Sequence, residues 1–190
     1  MKHVATAKLL VLFLAIVAFS GFWSGESVEK QREEIQKMKK ETLEKLFKLS
    51  PESKGMIQEA YGYAVFSNIG VNVVLVSAGG GSGVAHNNKT GKDTYMKMGT
   101  VGIGLGLGVK DFRGVFLFEN QKVYDEFVEK GWEANAQADA AAKSDEKGGA
   151  VGGAITVQPG IRLYQLTESG LALQATIQGT KYWQDEDLNK

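Results

Sequence analysis

From Gly99 to Val109 the chain alternates between two kinds of residue. Val101, Ile103, Leu105, Leu107 and Val109 are apolar, and Gly102, Gly104, Gly106 and Gly108 stand between them. Successive residues of a strand point to opposite faces. This period therefore predicts a strand with one apolar face and one face of bare backbone. Glycine weakens a strand through entropy and lost packing, so four in register imply that something approaches that face closely. The visitor is either a packed helix or neighbouring sheet, or an acyl chain in a groove. Lys110 and Arg113 flank the turn that follows. They read either as an ordinary polar turn or as two cations suited to a phosphate headgroup.

Upstream, Glu26 to Leu49 lacks Gly and Pro and is rich in Glu, Lys and Gln, which predicts a helix. Val28, Ile35, Met38, Thr42, Leu46 and Leu49 form its weakly apolar stripe. The mixed charges suit a solvated face better than a membrane-surface helix. Ser50 and Pro51 are expected to start a second helix, to about Glu59. Tyr61–Phe66, Val71–Val76 and Ser82–His86 read as strands. Asn87 to Gly91 reads as a polar turn and Lys92–Met98 as the return strand of a hairpin.

Downstream, Val115–Phe118 reads as a buried strand. Asn120 is expected to cap a helix with Val123, Tyr124, Phe127 and Val128 on its core side, ending at Gly131. Trp132, Ala134, Ala136, Ala138, Ala140 and Ala142 fall on every second position. That period outweighs the helix propensity of alanine and predicts a strand with a small-residue face. Ile155–Val157 and Ile161–Leu166 look extended, with a break at Pro159, and a last strand follows the turn at Thr167–Gly170. The expected fold class is α+β and β-rich: N-terminal helices, then an antiparallel, barrel-like or closed sheet with one inserted helix. Closure would remove exposed edges.

The N-terminus reads as a targeting segment. Lys2 and Lys8 precede the apolar run Leu9–Phe19, which is shorter than the roughly 20 residues that span a bilayer. A secretory signal peptide over residues 1–20 is expected. The rival is an uncleaved anchor extended by Phe22 and Trp23, the candidate membrane contacts. Residues 21–59 then hold a linker and helices, 60–183 a β-rich domain, and 184–190 an acidic, frayed tail. Localisation would be periplasmic or secreted.

Composition and motifs exclude more than they suggest. Lys plus Arg equals Asp plus Glu at 22 each, which argues against nucleic acid as a partner. Removing residues 1–20 takes away Lys2 and Lys8, leaving 20 basic against 22 acidic residues, a balance of −2. Cysteine is absent, so disulfides, thiolate metal sites and Cys nucleophiles are excluded. Gly79–Gly83 is not followed by the Lys-Ser/Thr pair of a phosphate loop and does not fit a dinucleotide fingerprint. Ser82 and His86 lie about 13 Å apart on one strand, too far for a nucleophile and its base. His86 reads as an exposed hairpin residue. Asp185, Glu186 and Asp187 lack calcium-loop spacing and read as a solvated charge run. No catalytic residue, metal site or cofactor is assigned.

Five segments in order resemble the SYLF-type lipid-binding domain family. Ala60-Tyr-Gly-Tyr-Ala-Val-Phe66 is similar to its entry strand, and Gly79-Gly-Gly-Ser-Gly-Val84 to the next portion. Gly104-Leu-Gly-Leu-Gly-Val109 followed by Val115-Phe-Leu-Phe118 resembles the third block. Trp132–Ala142 is similar to its small-residue strand, and Gly170–Gly179 to its closing strand. The resemblance spans roughly residues 43–183. Ser67 stands where the family usually has proline, and Gly149–Gly153 lacks the family's proline and arginine. The resemblance implies a non-enzymatic lipid-binding module, with phosphoinositides and actin as partners of eukaryotic relatives. Actin is implausible for an exported chain.

The expectation is an exported protein that binds anionic phospholipid or associates with the envelope. Gly102, Gly104, Gly106 and Gly108 would clear space for an acyl chain, and Lys110 and Arg113 would attract its headgroup. A structural or protein-interaction role in the envelope is the second reading, and an undetected hydrolase the third.

Overall fold

The computed structural model describes residues 27–73, 76–103, 113–134, 153–167, 170–172 and 179–190. The leader, Phe22 and Trp23, Gly104 to Lys110, most of the alternating alanine segment and residues 173–178 lie outside them.

The Glu- and Lys-rich run forms helix α1, Val28–Leu49. Ser27 caps it, its Oγ accepting from the Lys30 N–H at 3.3 Å, which satisfies one orphan donor of the first turn. The expected apolar stripe is buried only at its centre. Ile35, Thr42 and Leu46 are covered, whereas Val28 and Leu49 are exposed. Ser50 does not start the second helix. Its N–H donates to the Leu46 carbonyl at 2.8 Å and closes α1. Pro51 disfavours a helical residue before it, and Ser50 is accordingly non-helical at φ −141°, ψ 87°. Helix α2 begins two residues after Pro51 and spans Ser53–Glu59.

The three strands expected between Tyr61 and His86 are two. Strand β1 runs Gly62–Val73 and β2 Val76–Asn87, paired from Gly62↔Asn87 to Val73↔Val76. The Gly79–Gly83 run belongs to β2, where ladders on both sides outweigh the poor strand propensity of glycine. The polar turn forms as expected. Asn87 Oδ1 accepts from the N–H groups of Lys89 and Thr90 at 2.9 and 3.1 Å, and Gly91 takes φ +72°. Strand β3, Asp93–Ile103, joins the expected return strand to the start of the glycine-alternating one.

Strand β4 spans Arg113–Phe118. Asn120 caps helix α3, Gln121–Asp125, accepting from the Val123 N–H at 3.2 Å, and the helix continues as a π-turn over Glu126–Lys130. Strands β5 (Trp132–Glu133), β6 (Ile155–Gln158), β7 (Ile161–Thr167), β8 (Gly170–Ala172) and β9 (Thr180–Gln184) follow. All pairings are antiparallel, in the order β5-β9-β3-β2-β1-β4-β7-β6, with β8 on β7. Strands β5 and β6 end that order, yet Trp132 Nε1 donates to Gln158 Oε1 at 2.9 Å. The sheet thus curls until its two ends nearly meet. The fold is α+β and β-rich, a half-barrel with helices before it and one inserted helix.

The inside of the curl is filled by side chains. Phe66, Phe116, Phe118, Phe127 and Tyr182 pack with centroids as close as 4.7 Å (Phe66 to Tyr182), and Met96, Ile155 and Leu163 complete the layer. A Cβ at Gly83 would overlap the Phe66 ring and the Val65 carbonyl, so this strand glycine makes room for an aromatic neighbour. On the outer face α1 and α2 pack against part of the sheet. Leu46 and Ile57 pack on Tyr63, Val65, Val115, Leu117 and Tyr164, so helices and sheet share a core.

The C-terminal segment is docked rather than frayed. Gln184 ends β9, and Leu188 is buried against Ile35 and Val84. Asp185 is also buried, with Oδ1 accepting from the Asp187 and Leu188 N–H groups and pairing with Lys97 Nζ at 3.1 Å. Its charge run is therefore only partly solvated, because one carboxylate closes the turn that holds Leu188.

Candidate functional site

The chain is polarised along its strands. At the Gly62 end, α1 is clasped to the sheet through Asp93. Asp93 Oδ2 accepts from Gln36 Nε2 at 2.7 Å and from Lys39 Nζ at 2.9 Å, and Oδ1 lies 2.6 Å from His86 Nδ1. Partial burial pushes this carboxyl up, but the hydrogen bonds from Lys39, His86 and Gln36 and the Lys39 charge outweigh it. Its pKa lies below the ordinary carboxylate range. His86 is half-buried rather than exposed, with its ring 5.1 Å from that of Tyr63. Tyr63, His86 and Asp93 are direct cross-strand neighbours, which is why residues far apart in sequence converge.

Beside the clasp lies a cleft of about 580 Å³, with Arg32, Lys92, Asp93, Asp125 and Glu129 in its wall. Charges of both signs are interspersed. Arg32 is held by the Leu188 and Lys190 carbonyls at 3.0 and 2.9 Å. Among the described residues no three His, Asp or Glu side chains cluster as a metal ion would require.

Toward the opposite end, β1, β2 and the later half of β3 carry no formal charge. The sequence holds no Asp, Glu, Lys or Arg from Ala60 to Asn88, nor from Met98 to Val109. Strand β1 pairs with β4 only as far as Ser67↔Arg113, and β3 with β9 as far as Thr100↔Thr180. Beyond these positions β1, β2 and β3 pair only with one another among the described residues. The register of this extension alternates. Val71, Ala78 and Val101 form one row and Val73, Val76 and Ile103 another. Between and beside them lie rows of Gly70, Gly79 and Thr100 and of Asn72, Ser77 and Gly102. Rows two apart belong to the same face of a sheet. The extension is therefore amphipathic, with one apolar face and one face of small and polar residues.

The last row that reaches β4 crosses five strands. Arg113, Ser67, Ser82, Lys97 and Trp183 are successive cross-strand neighbours on β4, β1, β2, β3 and β9. Arg113 faces α1, its Nη1 donating to Thr42 Oγ1 at 3.3 Å and lying 3.7 Å from Glu41 Oε2. Lys97 is held by Asp185, as above. Trp183 is 43% exposed and lies against Gly99, where a Cβ would stand 3.1 Å from its ring.

Of the residues singled out from sequence, Arg113 joins this row and Gly102 enters the extension opposite Ser77. Gly104, Gly106, Gly108, Lys110, Phe22 and Trp23 lie outside the described residues. Sequence reasoning missed Ser67, Ser82, Lys97 and Trp183. Only the strand register aligns them, and the one signal available was the charge-free runs from Ala60 to Asn88 and from Met98 to Val109. Among the described residues no helix is long and apolar enough to cross a membrane.

No protein-family model matches the chain. The sequence is similar to Beta cell expansion factor A of Aeromonas veronii, at 39% identity over 167 residues, 87% of this chain and 61% of that protein. The chain thus spans about three-fifths of that relative's length.

Proposed function

We propose that the chain is an exported, non-enzymatic SYLF-type module that binds lipid bilayers through the uncharged extension of β1, β2 and β3. The amphipathic register of that extension carries the reading. A sheet with one apolar face and one small, polar face suits the membrane interface, where the first face meets acyl chains and the second stays wet. Full burial of a Val or Ile side chain contributes roughly 1.5–3 kcal/mol. The apolar rows include Val71, Val73, Val76, Val101 and Ile103. Burying even part of them offsets the cost of association.

The extension lies flat rather than crossing the bilayer. Upright insertion would bury Asn72 and Ser77 in hydrocarbon, where each unsatisfied polar group costs several kcal/mol. The headgroup role expected for Arg113 recedes, because Glu41 and Thr42 already hold its guanidinium. Apolar burial then dominates over charge, and zwitterionic vesicles should bind as well as anionic ones. Asp93, whose pKa is lowered by its donors, is not poised as a general acid near neutral pH.

Vesicle co-sedimentation tests the reading. The wild-type chain should pellet with both vesicle types and lose little binding at high salt, whereas Val73→Asp and Ile103→Asp should stay in the supernatant with unchanged circular dichroism. Equal binding by the Asp variants would refute the role of the extension. Binding only to anionic vesicles, abolished by salt, would return the role to cations.

A further inference from the structure

We infer that the cross-strand row Arg113–Ser67–Ser82–Lys97–Trp183 is the membrane-interface contact of the protein, with Trp183 as its anchor in the headgroup layer. This rests on the bilayer-binding reading above and adds where the molecule meets the lipid. Three observations converge on it.

The first is position. The row is the last in which β1 pairs with β4, on a face it shares with the apolar rows. The next row on that face, Ile69, Gly80, Gly99 and Lys181, lies two residues along the strands, about 7 Å away. A sheet resting its apolar face on acyl chains brings this row to the headgroups. The second is chemistry. Indole combines a large apolar body with one N–H donor, which suits it to the membrane interface. Serine hydroxyls suit phosphate and glycerol oxygens. The third is exposure. Val28, Leu49 and Trp183 are large hydrophobics left exposed, and of these three Trp183 lies on the sheet. Gly99 leaves room for the edge of the indole, where a Cβ would crowd it.

Arg113 and Lys97 each hold a carboxylate, so the row presents hydrogen-bonding groups with little net charge. It therefore fits phospholipid headgroups in general, zwitterionic ones included.

Tryptophan fluorescence tests the assignment. The difference between the full-length chain and its Trp183→Phe variant isolates the Trp183 emission from that of Trp23 and Trp132. With phosphatidylcholine vesicles this difference signal should shift to the blue. Lipids brominated near the headgroup should quench it more than lipids brominated near the chain end. Trp183→Ala should weaken vesicle partitioning about tenfold at unchanged melting temperature, and Trp183→Phe by less. Vesicle binding with an unshifted, unquenched Trp183 signal would overturn the assignment and leave the bilayer reading standing. Stronger quenching from the chain end would place Trp183 too deep and overturn it too. A signal already blue-shifted without lipid and lost on dilution would place a second copy of the chain on the row instead. Absence of vesicle binding by the wild-type chain would overturn both.

Discussion

Two residues illustrate how burial decides what a polar group contributes. Asp93 accepts from three donors, and their preference for its ionised form lowers its pKa. A carboxyl whose folded pKa is depressed contributes stability above its unfolded pKa of about 3.9. That contribution is lost as pH falls through the lower folded value. Asp93→Asn should therefore lower the melting temperature at pH 7, by the equivalent of about 1–3 kcal/mol. The gap to wild type should close below about pH 4. Melts of both proteins from pH 7 to 3 measure it, and a gap independent of pH would refute the charged clasp. Tyr182 is the converse. Its hydroxyl is buried without a hydrogen-bond partner among the described residues, and burial pushes its pKa well up. Tyr182→Phe removes a desolvated hydroxyl and keeps the ring, so it should leave the melting temperature unchanged or raise it. A fall of several degrees would reveal a partner for that hydroxyl.

At the scale of elements, α1 depends on a strand and a tail that come late in the chain. Its N-terminal half is held by Asp93, by the Arg32 contacts and by Leu188 beneath Ile35. Asn189 ties the tail to Tyr95, its Nδ2 donating to that carbonyl at 2.7 Å and its Oδ1 accepting from that N–H at 2.9 Å. Leu188→Ala should cost about 2–3 kcal/mol. It should also speed hydrogen exchange in α1 more than in β4. Uniform acceleration would show that tail and helix do not form a separable unit. The α1 and α3 segments were legible in advance, because a Gly- and Pro-free Glu/Lys-rich run, a cap at Asn120 and a stop at Gly131 are local signals. The boundaries around Ser50, the continuity of β1 and β2, and the docked tail were not. Each is decided by partners distant in sequence.

For the molecule as a whole, curling brings β5 and β6 together across the aromatic interior. Trp132→Phe and Gln158→Leu, singly and combined, test whether that seam is energetic or incidental. A coupling of about 0.5–1.5 kcal/mol between them is expected from a hydrogen bond of this kind. Additive effects would mean that packing alone closes the curl. The same curvature fills the described interior with Phe66, Phe116, Phe118 and Phe127. In this region the bilayer contact proposed above is therefore to the outside of the sheet rather than to a groove within it.

The sequence alone determined that the chain is β-rich behind helices, because period-two alternation and the Glu/Lys-rich run are local properties of the polymer. It also determined the absence of charge over both arms of the extension. Tertiary structure decided everything that depends on register. Pairing of five strands aligned Arg113, Ser67, Ser82, Lys97 and Trp183, and a cross-strand row brought His86 to Asp93. It also decided that Arg113 is held by α1. A strand carries its alternation in its own residues, but which row of a neighbour it meets is set by hydrogen bonds between segments the sequence keeps apart.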